Sequence, residues 1–174
     1  MNRRTFVVSI ILHALLLMTV YVFQGMIFPQ LRLIGLVPLL LPVVSTGVAV
    51  YEGRYAGGIF GILAGVLCDV SFNEPAAVFT VLLTITGLII GTLADTVLTR
   101  GIATYFLACV AVLAVSAFAQ MFPLLFFENV PPAPLMAVAL WQTVYSLVFA
   151  LPLWFFVRAL GKRAQRVSPS GRPL

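Results

Sequence analysis

The stretch GGIFGILAGVLCDV, residues 57–70, is apolar except for one carboxylate and returns to a small residue at every fourth position. Gly57, Gly61, Gly65 and Asp69 step by four, which on a helix lays them along one slowly drifting face. A second stretch, GLIIGTLADT, residues 87–96, repeats the step with Gly87, Gly91 and Asp95. Glycine costs a helix roughly 1 kcal/mol relative to alanine in water. A strip of glycines is worth keeping where two backbones must approach closely, and the solvent around the helices decides whether that applies.

Of the 174 residues, 62% are hydrophobic and 9% are charged, whereas a soluble domain carries about 25% charged residues. There are too few polar groups to cover a globule in water, so the surface must face lipid. The formal net charge of +5 is not accompanied by a basic stripe with interleaved aromatics, which argues against nucleic acid as the partner.

Six apolar spans can be drawn, at about 5–28, 33–51, 55–72, 76–98, 102–127 and 135–157. Each approaches the roughly 20 residues that cross about 30 Å of hydrocarbon. Runs such as VVSIILHALLLMTVYVF do not alternate, so a transmembrane β-barrel is excluded. The expectation is an all-α polytopic membrane protein with six transmembrane helices in a single domain over 1–160. A basic, disordered tail follows over 161–174. Arg3 and Arg4 precede the first span, and six crossings bring the C-terminus back to the same side. Nine of the ten basic residues then share one side, with Arg32 alone opposite. This positive-inside pattern puts both termini in the cytoplasm. The first apolar run is longer than a signal peptide's, and no small-x-small site follows it.

The connections are short, and the segments around PQLRL, SFNEP and ENVPPAP face outward in this topology. Cys68 and Cys109 fall at depths roughly 10 Å apart, too far for a disulfide, and are expected as two free thiols. The single histidine, His13, lies within the first span. Two readings stand for it: a hydrogen-bonded packing residue between helices, or a member of a proton relay. Metal ligands and nucleophile–base pairs do not converge anywhere in the pattern, so no metal, no cofactor and no enzymatic activity are expected.

In lipid, small residues let helices approach and gain dispersion contacts. Gly57, Gly61, Gly65, Gly87 and Gly91 therefore mark spans three and four as central and tightly packed. Asp69 reads either as a cap on a neighbouring helix or turn, or as part of a partner or ligand site at the outer rim. Asp95, beside Thr96, Thr99 and Arg100, reads as an interfacial charge near the inner turn. Pro42 and Pro152 are expected to break or bend their helices, and Pro38 either does the same or merely starts the regular helix, with LRLIGLV irregular before it. Trp154 suits an interfacial anchor, and Trp141 lies deeper. Arg158, Lys162 and Arg166 lie four apart and would form a basic inner-surface strip facing anionic lipid.

The run from PLLLPVVSTGVAVYEGRYAGGIFGILAGVLCDV through TVLLTITGLIIGTLADTVLTR resembles the MreD family of rod shape-determining membrane proteins. The pattern is a Pro-led second span, a short turn, a glycine-rich span ending in Gly-x-x-x-Asp, and a further span with its own glycines. Here it falls on Pro38, Gly57, Gly61, Gly65, Asp69, Gly87 and Gly91, and SFNEPAA departs from the small Gly-containing turn common after the aspartate. The resemblance implies a non-enzymatic scaffold or adaptor of the cell-elongation machinery in the bacterial cytoplasmic membrane. The implied partners are MreC, a RodA-type glycosyltransferase and a class B penicillin-binding protein, with the MreB filament nearby.

A rival of similar size and span number is the substrate-binding component of an energy-coupling-factor vitamin transporter. It needs an outward pocket with converging polar groups. Candidates are Gln24, Gln30, Asn73, Glu74, Gln120 and Gln142, which are scattered along the sequence.

The topology is testable directly. Single cysteines at Ser170 and Asn129 should label from opposite sides of the membrane, with Asn129 outside. Labelling of both from one side would sink the six-span topology, because the last span would then not cross.

Overall fold

Six helices make up the computed structural model, which describes residues 3–26, 38–72, 77–96, 101–126 and 131–167. They are α1 (Arg3–Met26), α2 (Leu40–Glu52), α3 (Arg54–Phe72), α4 (Val78–Thr96), α5 (Ile102–Phe126) and α6 (Pro132–Val167). Five contain stretches long and apolar enough to cross a membrane: Val7–Met26, Arg54–Phe72, Val78–Thr96, Ile102–Met121 and Ala133–Leu160. The connections carrying Gln30, Arg32, Asn73, Glu74 and Arg100, and the tail from 168 onward, lie outside the described residues.

The five long helices close a ring in the order α1, α3, α4, α5, α6 and back to α1, and α2 stands inside it touching all five. Outward faces of the ring are apolar on every member, with Ile11, Leu15, Ile62, Val66, Val81, Ile85, Leu107, Phe118, Leu140 and Val148 all exposed. Such a continuous apolar exterior is the surface of a protein solvated by lipid. Helix directions alternate, so one end of the bundle gathers the start of α1, the end of α2, the start of α3 and the end of α6. This is called the basic end below, because Arg54 and Arg158 lie there.

Of the second span expected over 33–51, the described part holds a helix of 13 residues with a length of about 20 Å, against roughly 30 Å of hydrocarbon. Every residue from Leu40 to Val50 is buried. The central element is thus α2, with α3 and α4 forming part of the wall around it. An apolar helix reads the same from sequence whether lipid or protein surrounds it, which is why the pattern did not single it out.

A helix that starts inside a bundle must find partners for its first N–H groups. The Leu39 N–H donates to Ser146 Oγ of α6 at 2.9 Å, and the Leu40 N–H to Gln24 Oε1 of α1 at 3.1 Å. Pro42 stands in the first turn, where its missing N–H leaves one fewer donor to satisfy. Pro38 and Pro42 therefore mark the start of α2 and do not interrupt it. The Ser45 and Thr46 hydroxyls turn back onto the Pro42 carbonyl oxygen, at 2.9 and 2.7 Å.

At its other end α2 passes into α3 through one residue, Gly53, whose φ of +87° favours glycine. Gly47, midway along α2, lets two neighbours close in: a Cβ there would stand 3.1 Å from Tyr105 Cε2 and 3.2 Å from Val157 Cγ2. Pro152 lies inside α6, which continues through it to Val167. Residues 161–167 are accordingly helical, not disordered as expected. They follow the apolar run with good helix formers, Lys, Arg, Ala and Gln.

Replacing Ser146 by Ala, or Gln24 by Leu, should each lower stability by about 1–3 kcal/mol, because a buried N–H of α2 loses its acceptor. Unfolding in detergent followed by circular dichroism measures it. An unchanged midpoint in both variants would contradict the capping described.

Candidate functional site

Two helices meet without side chains between them along the seam of α3 and α4. A Cβ added to Gly57 would stand 2.5 Å from the Gly87 carbonyl oxygen and 2.8 Å from Ala49 Cβ of α2. One added to Gly87 would collide with the Gly57 carbonyl oxygen in return. Gly61 faces the backbone at Leu83 and Thr84, and Gly65 faces Phe79 and Thr80. At the basic end a Cβ on Gly91 would come within 2.5 Å of Arg54 Cα. Each step of four along α3 is matched by a step of about four back along α4, as an antiparallel pair in register requires. None of these obstacles is a flexible side-chain tip, so no rotamer change relieves them.

The two aspartates close the seam at opposite ends. Asp69, one turn past Gly65 on α3, accepts the N–H of Phe79 at 2.9 Å on Oδ1. On Oδ2 it accepts the N–H of Thr80 at 2.9 Å and its hydroxyl at 2.6 Å. Asp95, one turn past Gly91 on α4, accepts the N–H of Arg54 at 3.1 Å on Oδ2. Each carboxylate therefore sits on the first turn of the partner helix, where free N–H groups and the positive end of the helix dipole favour it. In an antiparallel pair the last turn of one helix lies beside the first turn of the other. An aspartate four residues beyond the final glycine lands there by geometry. Gly53 belongs to the same construction: a Cβ on it would stand 2.5 Å from Asp95 Oδ1. At the Asp69 end, Phe72 and Phe79 stack with centroids 5.4 Å apart.

A second polar set ties α1 and α6 to α2 at the basic end. The Ser9 hydroxyl donates to Glu52 Oε1 at 2.8 Å. The fully buried His13 ring places Nδ1 2.8 Å from the Ser9 carbonyl oxygen and Nε2 3.4 Å from the Val157 carbonyl oxygen. The ring meets Phe60 of α3 in a T-shaped arrangement, with centroids 6.2 Å apart. The Trp154 indole N–H donates to the Tyr51 hydroxyl. Ser9, Glu52, Tyr51 and Ser146 were not singled out from sequence. Single serines and a terminal Glu in apolar helices carry no spacing signal, and their partners lie on helices distant along the chain.

The remaining predicted residues fall apart from the seam. Cys68 and Cys109 are buried free thiols. Trp141 is exposed on the lipid face, whereas Trp154 is buried. Arg158 covers the Trp154 ring at 5.0 Å. Lys162 and Arg166 lie on the extension of α6, and their side chains are outside the described residues. Of the transporter-type candidates, Gln24 is engaged at α2, and the Gln120 amide nitrogen is buried without a partner, as is the Ser116 hydroxyl.

Replacing Gly61 or Gly65 by Leu should force α3 from α4 and sharply lower folded yield. Gly25→Ala, with open space around it, should leave yield unchanged. Asp69→Leu should cost more than Asp69→Asn, because the amide oxygen still accepts one of the N–H groups. The leucine leaves them unpaired, at about 1–3 kcal/mol each. Size-exclusion yield and detergent melting of the series test the order. A Gly65→Leu protein with wild-type yield would show that the seam is not needed.

The family model described as rod shape-determining protein MreD matches residues 2–164, nearly the whole chain. No curated protein and no solved structure matches it. With a helical bundle built for lipid and a family match over that length, the chain belongs to the MreD family of rod shape-determining membrane proteins.

Proposed function

We propose that this chain is a non-enzymatic scaffold or adaptor of the cell-elongation machinery in the bacterial cytoplasmic membrane, with both termini in the cytoplasm. It acts with an MreC-like protein, a RodA-type glycosyltransferase and a class B penicillin-binding protein, and reaches the MreB filament indirectly. The observation that carries this reading is the engagement of Asp69 and Asp95. Both carboxylates that the sequence offers inside the glycine motif accept backbone N–H groups of the paired helix. A carboxylate held this way fixes a shape, and a fixed shape is what an adaptor presents to its partners. Family membership sets the biological setting.

The transporter-component reading requires polar side chains free to meet a ligand. Gln24, one of its candidates, already accepts the Leu40 N–H.

Co-purification separates the two. The full chain should retain a single-span, coiled-coil partner of the MreC type. Asp69→Asn should weaken that retention by roughly fivefold, equivalent to about 1 kcal/mol, while membrane insertion persists. A small molecule recovered at one per chain, with no such partner, would overturn the scaffold reading in favour of the transporter component.

A further inference from the structure

We propose that the basic end of the bundle is a docking surface for anionic phospholipid headgroups, whose phosphates meet the guanidiniums of Arg54 and Arg158. The strip read from sequence lies on α6 alone; the geometry adds an arginine from α3. The Arg54 Cζ lies 4.7 Å from the centroid of the Tyr55 ring, and its Nη2 donates to the Tyr55 hydroxyl at 2.8 Å. Arg158 lies over Trp154 in the same manner, at 5.0 Å. The two pairs are joined through the end of α2. Trp154 donates to Tyr51, and Tyr51 precedes Arg54 by three residues across the one-residue connection at Gly53.

The charge distribution leaves both cations available. Glu52 accepts from Ser9, Asp69 from Phe79 and Thr80, and Asp95 from the Arg54 backbone. Among the described residues no carboxylate meets either guanidinium. An aromatic ring against a guanidinium holds it in place and leaves N–H donors for a phosphate, which the planar fork meets two at a time. Tyr and Trp are the residues found at headgroup depth, and Tyr55 is 68% exposed. Helix α6 also continues to Val167. It carries Lys162, Arg163 and Arg166 within about 12 Å beyond Arg158 along its axis, which adds charge of the same sign. A lipid surface supplies many phosphates at one level, and cations on two helices that flank α1 at the same end of the bundle match that array.

The inference stands apart from the adaptor reading, since it concerns lipid alone. The test reconstitutes the full chain in nanodiscs of equal parts phosphatidylglycerol and phosphatidylcholine and reads retained lipid by native mass spectrometry. Phosphatidylglycerol should be enriched on the wild-type protein. Arg54→Gln and Arg158→Gln should each reduce the enrichment by roughly fivefold, and the double variant should abolish it. Arg54→Lys and Arg158→Lys keep the charge but lose the fork, and should fall between; they carry the test should a glutamine variant not fold. Inorganic phosphate should not displace the lipid. Equal retention of the two lipids by the wild type, undiminished enrichment in the double variant, or displacement by inorganic phosphate would each overturn the proposal.

Discussion

A bilayer offers no hydrogen bonds to a peptide group, so a helix that begins inside it must be met by protein. That constraint organises this molecule. Helix α2 is too short to cross and is enclosed by five helices, and its first N–H groups are taken by Ser146 and Gln24 from two of them. With these polar contacts in place, and the Ser45 and Thr46 hydroxyls turned back onto its own backbone, α2 can be largely apolar and serve as the core on which the ring closes.

The glycine seam answers to the same solvent. Lipid tails are as apolar as leucine, so burying leucine between helices gains little there. Contact between backbones gains dispersion energy that side chains would otherwise block. The strip on α3 meets the strip on α4, and the aspartates secure the two ends where unpaired N–H groups remain. Packing and capping thus come from one four-residue rhythm. Gly-x-x-x-Asp is a contact surface followed by the cap of the helix it contacts.

How much of this could be read in advance depends on whether the information was local. The helical, lipid-solvated class was visible in composition, and the glycine spacing was visible because it follows the helical period. The reciprocal use of the aspartates was half visible: a cap was one of the two readings of Asp69, whereas Asp95 looked like an interfacial charge. Deciding it required the register of the antiparallel pair, which the sequence does not state. The centrality of α2 was hidden, since a largely apolar helix carries no periodic mark distinguishing lipid neighbours from protein neighbours. Pro42 misled for a related reason. Proline weakens a helix interior but suits its first turn, and only the true start at Leu40 shows which applies. The Ser9–Glu52 and Trp154–Tyr51 bonds join residues far apart in the chain, and no periodicity points to them.

The one-residue connection at Gly53 has a mechanical consequence. With α2 and α3 abutting, and Asp95 reaching from α4 onto the junction, no loop separates the central helix from the α3–α4 pair. A neighbour that leans on the lipid side of α3 or α4 therefore pushes the axle of the bundle directly. Strain applied at that rim is therefore felt at the hub without a loop to absorb it.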